Sequence, residues 1–167
     1  MHDLAAQLAQ ALTNLGISNN IVIFVISMIP ILELRGGLLV AAILKVSMQQ
    51  AIPICILGNI LPIPFILLFI KQIFTWFKKV PGIGKIVLKL EERAMKKSKG
   101  MKQGEFWGLV LFVGVPLPGT GAWTGAMIAS LLEMDFKKAS LAIFLGVVLA
   151  TIIMTIVSYG AVGALVR

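Results

Sequence analysis

The sequence predicts an all-α polytopic membrane protein made of two inverted repeats, each a re-entrant helical hairpin plus a transmembrane helix, with amphipathic interfacial helices alongside. Mean hydropathy is +1.00, and 59% of the 167 residues are hydrophobic while 13% are charged, which is typical of an integral membrane protein. The two halves of the chain also match each other in register, and each half opens with an apolar block that Pro and Gly interrupt. We therefore expect one membrane domain covering residues 1–167.

The first segment, residues 1–18, is predicted to be an amphipathic helix lying on the membrane or against the core. Leu4, Leu8 and Leu15 fall on one stripe of a helical repeat, and Asp3 can cap its start. A positive n-region and a long apolar segment are both missing here, so the sequence does not resemble a signal peptide.

Residues 20–77 and 104–166 are predicted to be two copies of one unit. A shift of 88 positions aligns prolines, glycines and apolar residues without a gap, including Phe24 with Phe112, Pro30 with Pro118, Gly37 with Gly125, and Gly58 with Gly146. Internal repeats of this kind are common in transporter folds.

Each repeat begins with about ten apolar residues, a break, and about ten more. The breaks are 30–37 and 116–121. Ten helical residues cover about 15 Å, or half of the hydrocarbon core, so each block can enter the membrane and return as a hairpin. The alternative is a kinked spanning helix in each case, which would give a four-helix bundle.

The two repeats are joined by a strongly basic segment, residues 78–103. It holds nine of the fifteen Lys and Arg residues, so the positive-inside rule predicts a cytoplasmic location. Its apolar residues share one helical face, which favours an interfacial helix on the anionic leaflet over a solvated loop. Nucleic-acid binding is not expected, because these charges flank membrane segments.

The candidate functional site is centred on Glu33 and Arg35, which lie where the hydrocarbon should be deepest. Charged residues at that depth normally face a cavity or a partner and mark a transport path. One interpretation is a salt bridge between the two that holds the tip together. The other is that Glu33 exchanges a proton while Arg35 binds an anionic group, next to the irregular backbone at Gly36 and Gly37.

The second tip carries no charge, and its predicted contributions come from backbone groups and a few polar or aromatic side chains. The candidate substrate or coupling residues outside the first tip are Pro116, Pro118, Gly119, Thr120, Gly121, Trp123 and Asn59. Glycine amides and the helix start after them can bind an anion, although Pro-Gly turns are also ordinary hairpin chemistry. The alternative for Asn59 is a structural role in helix packing.

No enzyme, metal or cofactor chemistry is predicted. The sequence offers one cysteine, Cys55, and one histidine, His2, so a zinc or thiolate site is not expected. The sequence also shows no recognisable set of a nucleophile, a base and an orienting group, so no catalytic residue is predicted.

The motifs Glu33-Leu-Arg35-Gly36-Gly37 and 116–125 resemble those of the small multidrug export protein family, over most of the chain from about residue 20 onward. More distantly, the chain resembles the DedA (VTT-domain) membrane protein superfamily. That resemblance implies inverted repeats with re-entrant hairpins, and transport of lipid carriers such as undecaprenyl phosphate. Glu33 corresponds to the acidic residue of the first DedA hairpin, and Pro118 and Gly125 to the proline and glycine of the second. The arginines that DedA proteins carry around that proline are missing.

The predicted function is proton-coupled transport of an amphiphilic or anionic lipid-like substrate by a multi-pass protein of the cytoplasmic membrane of a prokaryote. Export of cationic hydrophobic drugs is the alternative within transport, and a membrane organiser or assembly factor is the alternative outside it. Expected partners are membrane lipids, the substrate, protons and a second copy in a homodimer. The hairpin arrangement further predicts that Ser47 and Phe136 lie on opposite sides of the membrane.

Overall fold

The computed structural model of the protein describes residues 16–78 and 104–165, with a few isolated positions elsewhere. The predicted N-terminal helix and basic interfacial helix therefore lie almost wholly outside the described residues. Within the two ranges the chain forms seven helices: α1 Asn19–Met28, α2 Glu33–Ile43, α3 Met48–Ile60, α4 Ile63–Lys78, α5 Glu105–Gly114, α6 Ala122–Leu131 and α7 Phe136–Leu165.

Among the described residues, two stretches are long and apolar enough to cross a membrane, and four helices are too short. The stretches are Met48–Trp76, which combines α3 and α4, and Phe136–Gly160 in α7, and their 18-residue apolar windows have mean hydropathies of 2.3 and 2.7. The other helices, α1, α2, α5 and α6, have 10 or 11 residues each, whereas a spanning helix needs about 20. The prediction of an all-helical protein with two candidate spans is confirmed.

Proline interrupts the first long stretch between α3 and α4. The turn at Leu61–Pro62 separates the two helices, and Pro53 is accommodated inside α3. Proline has no amide hydrogen and its ring clashes with the preceding turn, so it breaks the ladder of hydrogen bonds in a helix. α7 carries no proline and continues for 30 residues.

The helix boundaries recur at the offset of 88 that the sequence match predicted. α3 begins at Met48 and α7 at Phe136. Both α2 and α6 end in a Schellman motif whose αL residue is Lys45 (φ 55°) in one half and Glu133 (φ 58°) in the other. In these motifs the amide of Val46 donates to Ala41 (2.9 Å) and that of Met134 to Ala129 (3.0 Å). The two halves therefore share local backbone geometry as well as sequence.

Matching glycines allow the helices of each half to pack closely. A methyl group at Gly58 would lie 2.6 Å from the carbonyl oxygen of Phe24, and one at Gly146 would lie 2.9 Å from that of Val110. The long helix of each half thus meets the backbone of the first short helix. Gly58 and Gly146, which match at the offset of 88, are therefore equivalent points of close helix contact.

The two halves also pack against each other. The second short helix of each half lies on the long segment of the other half: α2 packs on α7, and α6 packs on α4. Polar side chains join the same partners at their ends. Tyr159 of α7 donates a hydrogen bond to the carbonyl of Val46 after α2 (2.9 Å), and Lys71 of α4 pairs with Glu133 after α6 (2.8 Å). Lys71 and Tyr159 are themselves 88 positions apart.

These contacts place the two helix-end turns at opposite ends of α7. The Val46 turn lies beside Tyr159, near the C-terminal end of α7, whereas Glu133 lies just before Phe136, where α7 begins. The Phe136–Gly160 segment has 25 residues and is about 37 Å long at the usual helical rise. That length is close to the thickness of a bilayer.

The Lys71–Glu133 pair predicts a pH-dependent contribution to stability. The hydrogen bond from Lys71 and its positive charge hold the pKa of Glu133 below its usual value. A carboxyl whose folded pKa is depressed stabilises the folded state above its unfolded pKa, and that contribution disappears as pH falls through the folded value. Lys71→Met should therefore lower thermal stability at neutral pH, and this effect should fade progressively as pH falls below about 4. An equal effect at neutral pH and in strong acid would contradict this assignment.

Candidate functional site

The candidate site is the junction of two irregular tips, one from each half. The first tip, residues 29–32, joins α1 to α2, and the second, residues 115–121, joins α5 to α6. Glu33 and Arg35 follow the first tip directly and reach across to the second. Their side-chain hydrogen bonds go to residues 113–123.

Glu33 caps the N-terminus of α6 with its carboxylate. Oε2 accepts a hydrogen bond from the amide of Ala122 (3.1 Å) and Oε1 accepts one from the amide of Trp123 (3.0 Å). Glu33 is only 5% exposed. The first amides of a helix lack partners inside the helix and carry the positive end of its dipole, so a carboxylate is stabilised there. Glu33 supplies that group from the opposite half.

This contact needs unusual backbone at both of its ends. Glu33 has φ 50° and Gly121 has φ 130°, and the two are equivalent at the offset of 88. A non-glycine residue at positive φ is uncommon and carries strain of about 1–3 kcal/mol. A methyl group on Gly121 would collide with the Glu33 carboxylate. Gly121 therefore leaves the space that the carboxylate occupies.

Arg35 binds the C-terminal end of α5 and the loop after it. Nη1 donates to the carbonyl of Leu117 (2.8 Å), and Nη2 lies within hydrogen-bond distance of Thr120 Oγ1 (3.0 Å), Val115 O (3.3 Å) and Val113 O (3.4 Å). The last carbonyls of a helix carry the negative end of the dipole and lack helical partners. A planar guanidinium with several donors suits such a set of acceptors.

Thr120 completes the second tip. Its hydroxyl accepts from the amide of Leu117 (3.3 Å) and lies 2.8 Å from the carbonyl of Leu117 and 2.9 Å from that of Val115, either of which can accept its proton. Because the same oxygen also contacts Arg35, Thr120 links the loop backbone to the guanidinium.

Glu33 and Arg35 do not form an ion pair with each other in the described structure, where the salt bridge within 4 Å is Lys71–Glu133. The interpretation that they bind mutually is therefore not what the structure shows. Each side chain is instead neutralised by a different helix end, the carboxylate by α6 and the guanidinium by α5. The two charges are tolerated because backbone dipoles of the second tip have the opposite sign at each point.

The other predicted residues divide between the junction and the helix packing. A methyl group at Gly36 would collide with Leu32, and one at Gly37 would collide with Ser27 and Cys55, so the two glycines allow close packing around α2. Trp123 contributes its backbone amide to the junction, while its indole Nε1 is buried without a hydrogen-bond partner.

Pro116, Pro118 and Gly119 lie in the second tip and shape its backbone, with Gly119 at φ 75°. Asn59 lies in the last turn of α3, is 2% exposed, and has a buried Oδ1 without a hydrogen-bond partner. Among the described residues, no hydrogen bond joins Asn59 to either tip.

Sequence reasoning did not single out several groups that hold the junction and its surroundings. The backbone groups of Val113, Val115 and Ala122 carry no side-chain signal, so only the folded structure identifies them. Lys71 did carry a signal, because it is a charge within an apolar span. Its partner Glu133 is the residue that matches Lys45 at the offset of 88.

A comparison with family models matches residues 33–153 to a family described as "Putative small multi-drug export protein". The match begins at Glu33 and includes the whole second tip. Curated proteins and solved structures give no match to the chain. The family name suggests a membrane transporter that exports small molecules. Since the matched region covers well over half of the sequence, the chain belongs to the family of small multi-drug export proteins.

Proposed function

We propose that the protein is a proton-coupled transporter that moves an amphiphilic substrate with an anionic head group across the cytoplasmic membrane of a prokaryote. The observation that carries this proposal is the junction itself. Glu33 and Arg35 join the two halves of the chain through hydrogen bonds to another tip, and both are charges within a largely apolar protein. Ionisable groups in such positions mark transport paths.

The proposed membrane arrangement is two re-entrant hairpins, α1–α2 and α5–α6, with one crossing in each half. Two features support it. The hairpin helices are too short to span. In the second half, α5 also runs in the same direction as α7, with Val110 beside Gly146 and Gly114 beside Leu149, so the chain enters this hairpin near the start of α7, where α6 ends. Two such halves are inverted, as the DedA resemblance implies.

Proton coupling is proposed to act through the contact of Glu33 with α6. An ionised carboxylate accepts from both amides, whereas a protonated one carries an O–H donor that opposes one of the N–H donors. Protonation therefore weakens the joint between the two tips. Deprotonation restores both hydrogen bonds and closes it, so proton binding is linked to opening of the junction.

The substrate class follows from what an open junction would expose. The amides of Ala122 and Trp123 at the start of α6 and the guanidinium of Arg35 are all donors, and together they favour a phosphate or carboxylate. An anionic amphiphile, such as the lipid carriers that the DedA resemblance implies, meets this requirement.

Export of cationic hydrophobic drugs is the second candidate, and the description of the family favours it. In that case the carboxylate of Glu33 would bind the cation after leaving α6. Arg35, two residues away, opposes a cation at this position unless its own contacts with the second tip hold it back.

The test is flux in proteoliposomes of the purified protein with a defined pH gradient. A lipid-linked phosphate with a reporter group and a cationic dye are offered in parallel. Gradient-dependent movement of the first supports the proposal, and movement of the dye alone supports drug export. Absence of both, in protein that remains folded, would favour a membrane organiser. Light scattering in nanodiscs tests the proposed homodimer in the same samples.

The proposed topology predicts that Ser47 and Phe136 face opposite sides of the membrane, with the basic segment 78–103 on the cytoplasmic side. Both are exposed, and the lone Cys55 is buried and can be replaced by Ser. Ser47→Cys and Phe136→Cys in that background should react with an impermeant maleimide from different sides of inverted and right-side-out vesicles. Labelling of both from one side would establish the four-helix bundle instead.

A further inference from the structure

A polar groove lies away from the two tips, where α4 meets the turn between α6 and α7. It has a volume of about 170 Å³ and is lined at its centre by Leu68, Lys71, Gln72, Ser130 and Glu133. Sites that enclose drug-sized ligands typically measure about 300–1,000 Å³. The groove is therefore too small to enclose such a ligand, and large enough for a compact head group.

The groove lies where the candidate span ends. The apolar stretch of α4 closes at Trp76, whose exposed ring lines a second groove that continues from Lys71. Tryptophan and lysine side chains are enriched at the membrane–water boundary, because each has an apolar body and a polar end. Lys71 and Glu133 are thus at the depth of lipid head groups.

The groove contains one positively and one negatively charged side chain next to each other. Lys71 Nζ and Glu133 Oε1 are 2.8 Å apart, with the two side chains 43% and 81% exposed, so each keeps donors or acceptors for another molecule. A head group with a phosphate and a primary ammonium carries the complementary pair of charges. Its phosphate can accept from Lys71 while its ammonium donates to Glu133.

An apolar track leads away from the groove along the exposed face of α4. Leu68 and Phe65 share one face of α4, and Leu61 lies in the turn before it, toward the middle of the span; all three are more than half exposed. Acyl chains of a lipid bound in the groove would lie along this track.

We propose that the groove is a binding site for phosphatidylethanolamine, with the phosphate on Lys71 and the ammonium on Glu133. The site is separate from the transport junction and does not depend on the proposed substrate. Because the head group shares the residues that join α4 to the end of α6, its binding links the lipid composition of the membrane to this contact between the two halves.

The test is native mass spectrometry of the purified protein in detergent, with equimolar phosphatidylethanolamine and phosphatidylglycerol. Phosphatidylglycerol is the comparison because Lys137 and Lys138, exposed at the start of α7, would attract any anionic lipid. We expect the wild type to retain phosphatidylethanolamine about fivefold better, since an exposed charge pair contributes up to about that factor.

Two variants and a matched control assign the site. Glu133→Gln should remove the preference by weakening phosphatidylethanolamine binding alone, and Lys71→Met should weaken binding of both lipids. Tyr159→Phe removes the equivalent contact of the other half without changing charge, so it should bind like the wild type. Equal binding of the two lipids by the wild type, an unchanged preference in Glu133→Gln, or unaltered binding in Lys71→Met would overturn the proposal.

Discussion

Gly121→Ala is expected to lower the free energy of unfolding by about 3 kcal/mol or more, because two penalties add at one position. The backbone of Gly121 has φ 130° and ψ −178°, a region that is essentially restricted to glycine. The new methyl group would also displace the carboxylate of Glu33 from the amides of Ala122 and Trp123. Chemical denaturation in mild detergent, followed by circular dichroism, measures the loss.

Gly160→Ala is the matched control, because a methyl group there meets no atom within 4 Å. In a helix, this exchange should be neutral or slightly stabilising. A comparison of Glu33→Ala/Gly121→Ala with Glu33→Ala alone separates the two penalties, since the carboxylate is absent from both and only the backbone strain at position 121 distinguishes them. Destabilisation in Gly121→Ala no larger than in Gly160→Ala would show that Glu33 does not occupy this position.

The sequence was sufficient to predict the helical halves, the breaks in them and the two charges at the first break. These predictions depend on patterns that local physics controls. Proline and glycine end helices wherever they occur, and an apolar run of ten residues has a fixed helical length. Because the two halves match at the offset of 88, a feature of one half predicts the same feature in the other. Lys45 and Glu133, for example, both end a short helix in the αL conformation.

The sequence predicted that Glu33 and Arg35 face the second tip and that the helix start near Ala122 can bind an anion, but it did not identify Glu33 as that anion or the carbonyl partners of Arg35. Their closeness along the chain suggested a mutual salt bridge, but the structure separates them onto two helix ends. Backbone amides and carbonyls attract charge only when a helix happens to begin or end beside it, and that depends on how the two halves pack. No pattern in the amino-acid types records this placement.

Lys71 is a second residue whose partner could not be predicted from the sequence. Its position in an apolar span indicates that it needs a partner or access to water. The partner is Glu133, at a distance of 62 positions. This contact could not be predicted from the two residues alone, because it depends on how α4 packs against α6.

Glu33→Gln is expected to abolish the dependence of transport on a proton gradient while the fold survives. Glutamine has nearly the same size and cannot titrate near neutral pH. Its single carbonyl oxygen can accept from one of the amides of Ala122 and Trp123, but its NH₂ group would face the other. The expected loss of stability is about 1–3 kcal/mol, the typical cost of a buried donor without an acceptor.

Glu105→Gln is the matched control, because Glu105 is exposed in the first turn of α5, at the opposite end of that helix from the second tip. It should keep both proton dependence and stability. The comparison is made in proteoliposomes across a pH series, with unfolding measured on the same preparations. Transport by Glu33→Gln that follows the gradient as the wild type does would exclude Glu33 as the coupling residue. Because the carboxylate caps α6 in any case, its structural role would still be seen in the unfolding data, so the two roles of Glu33 are separable by experiment.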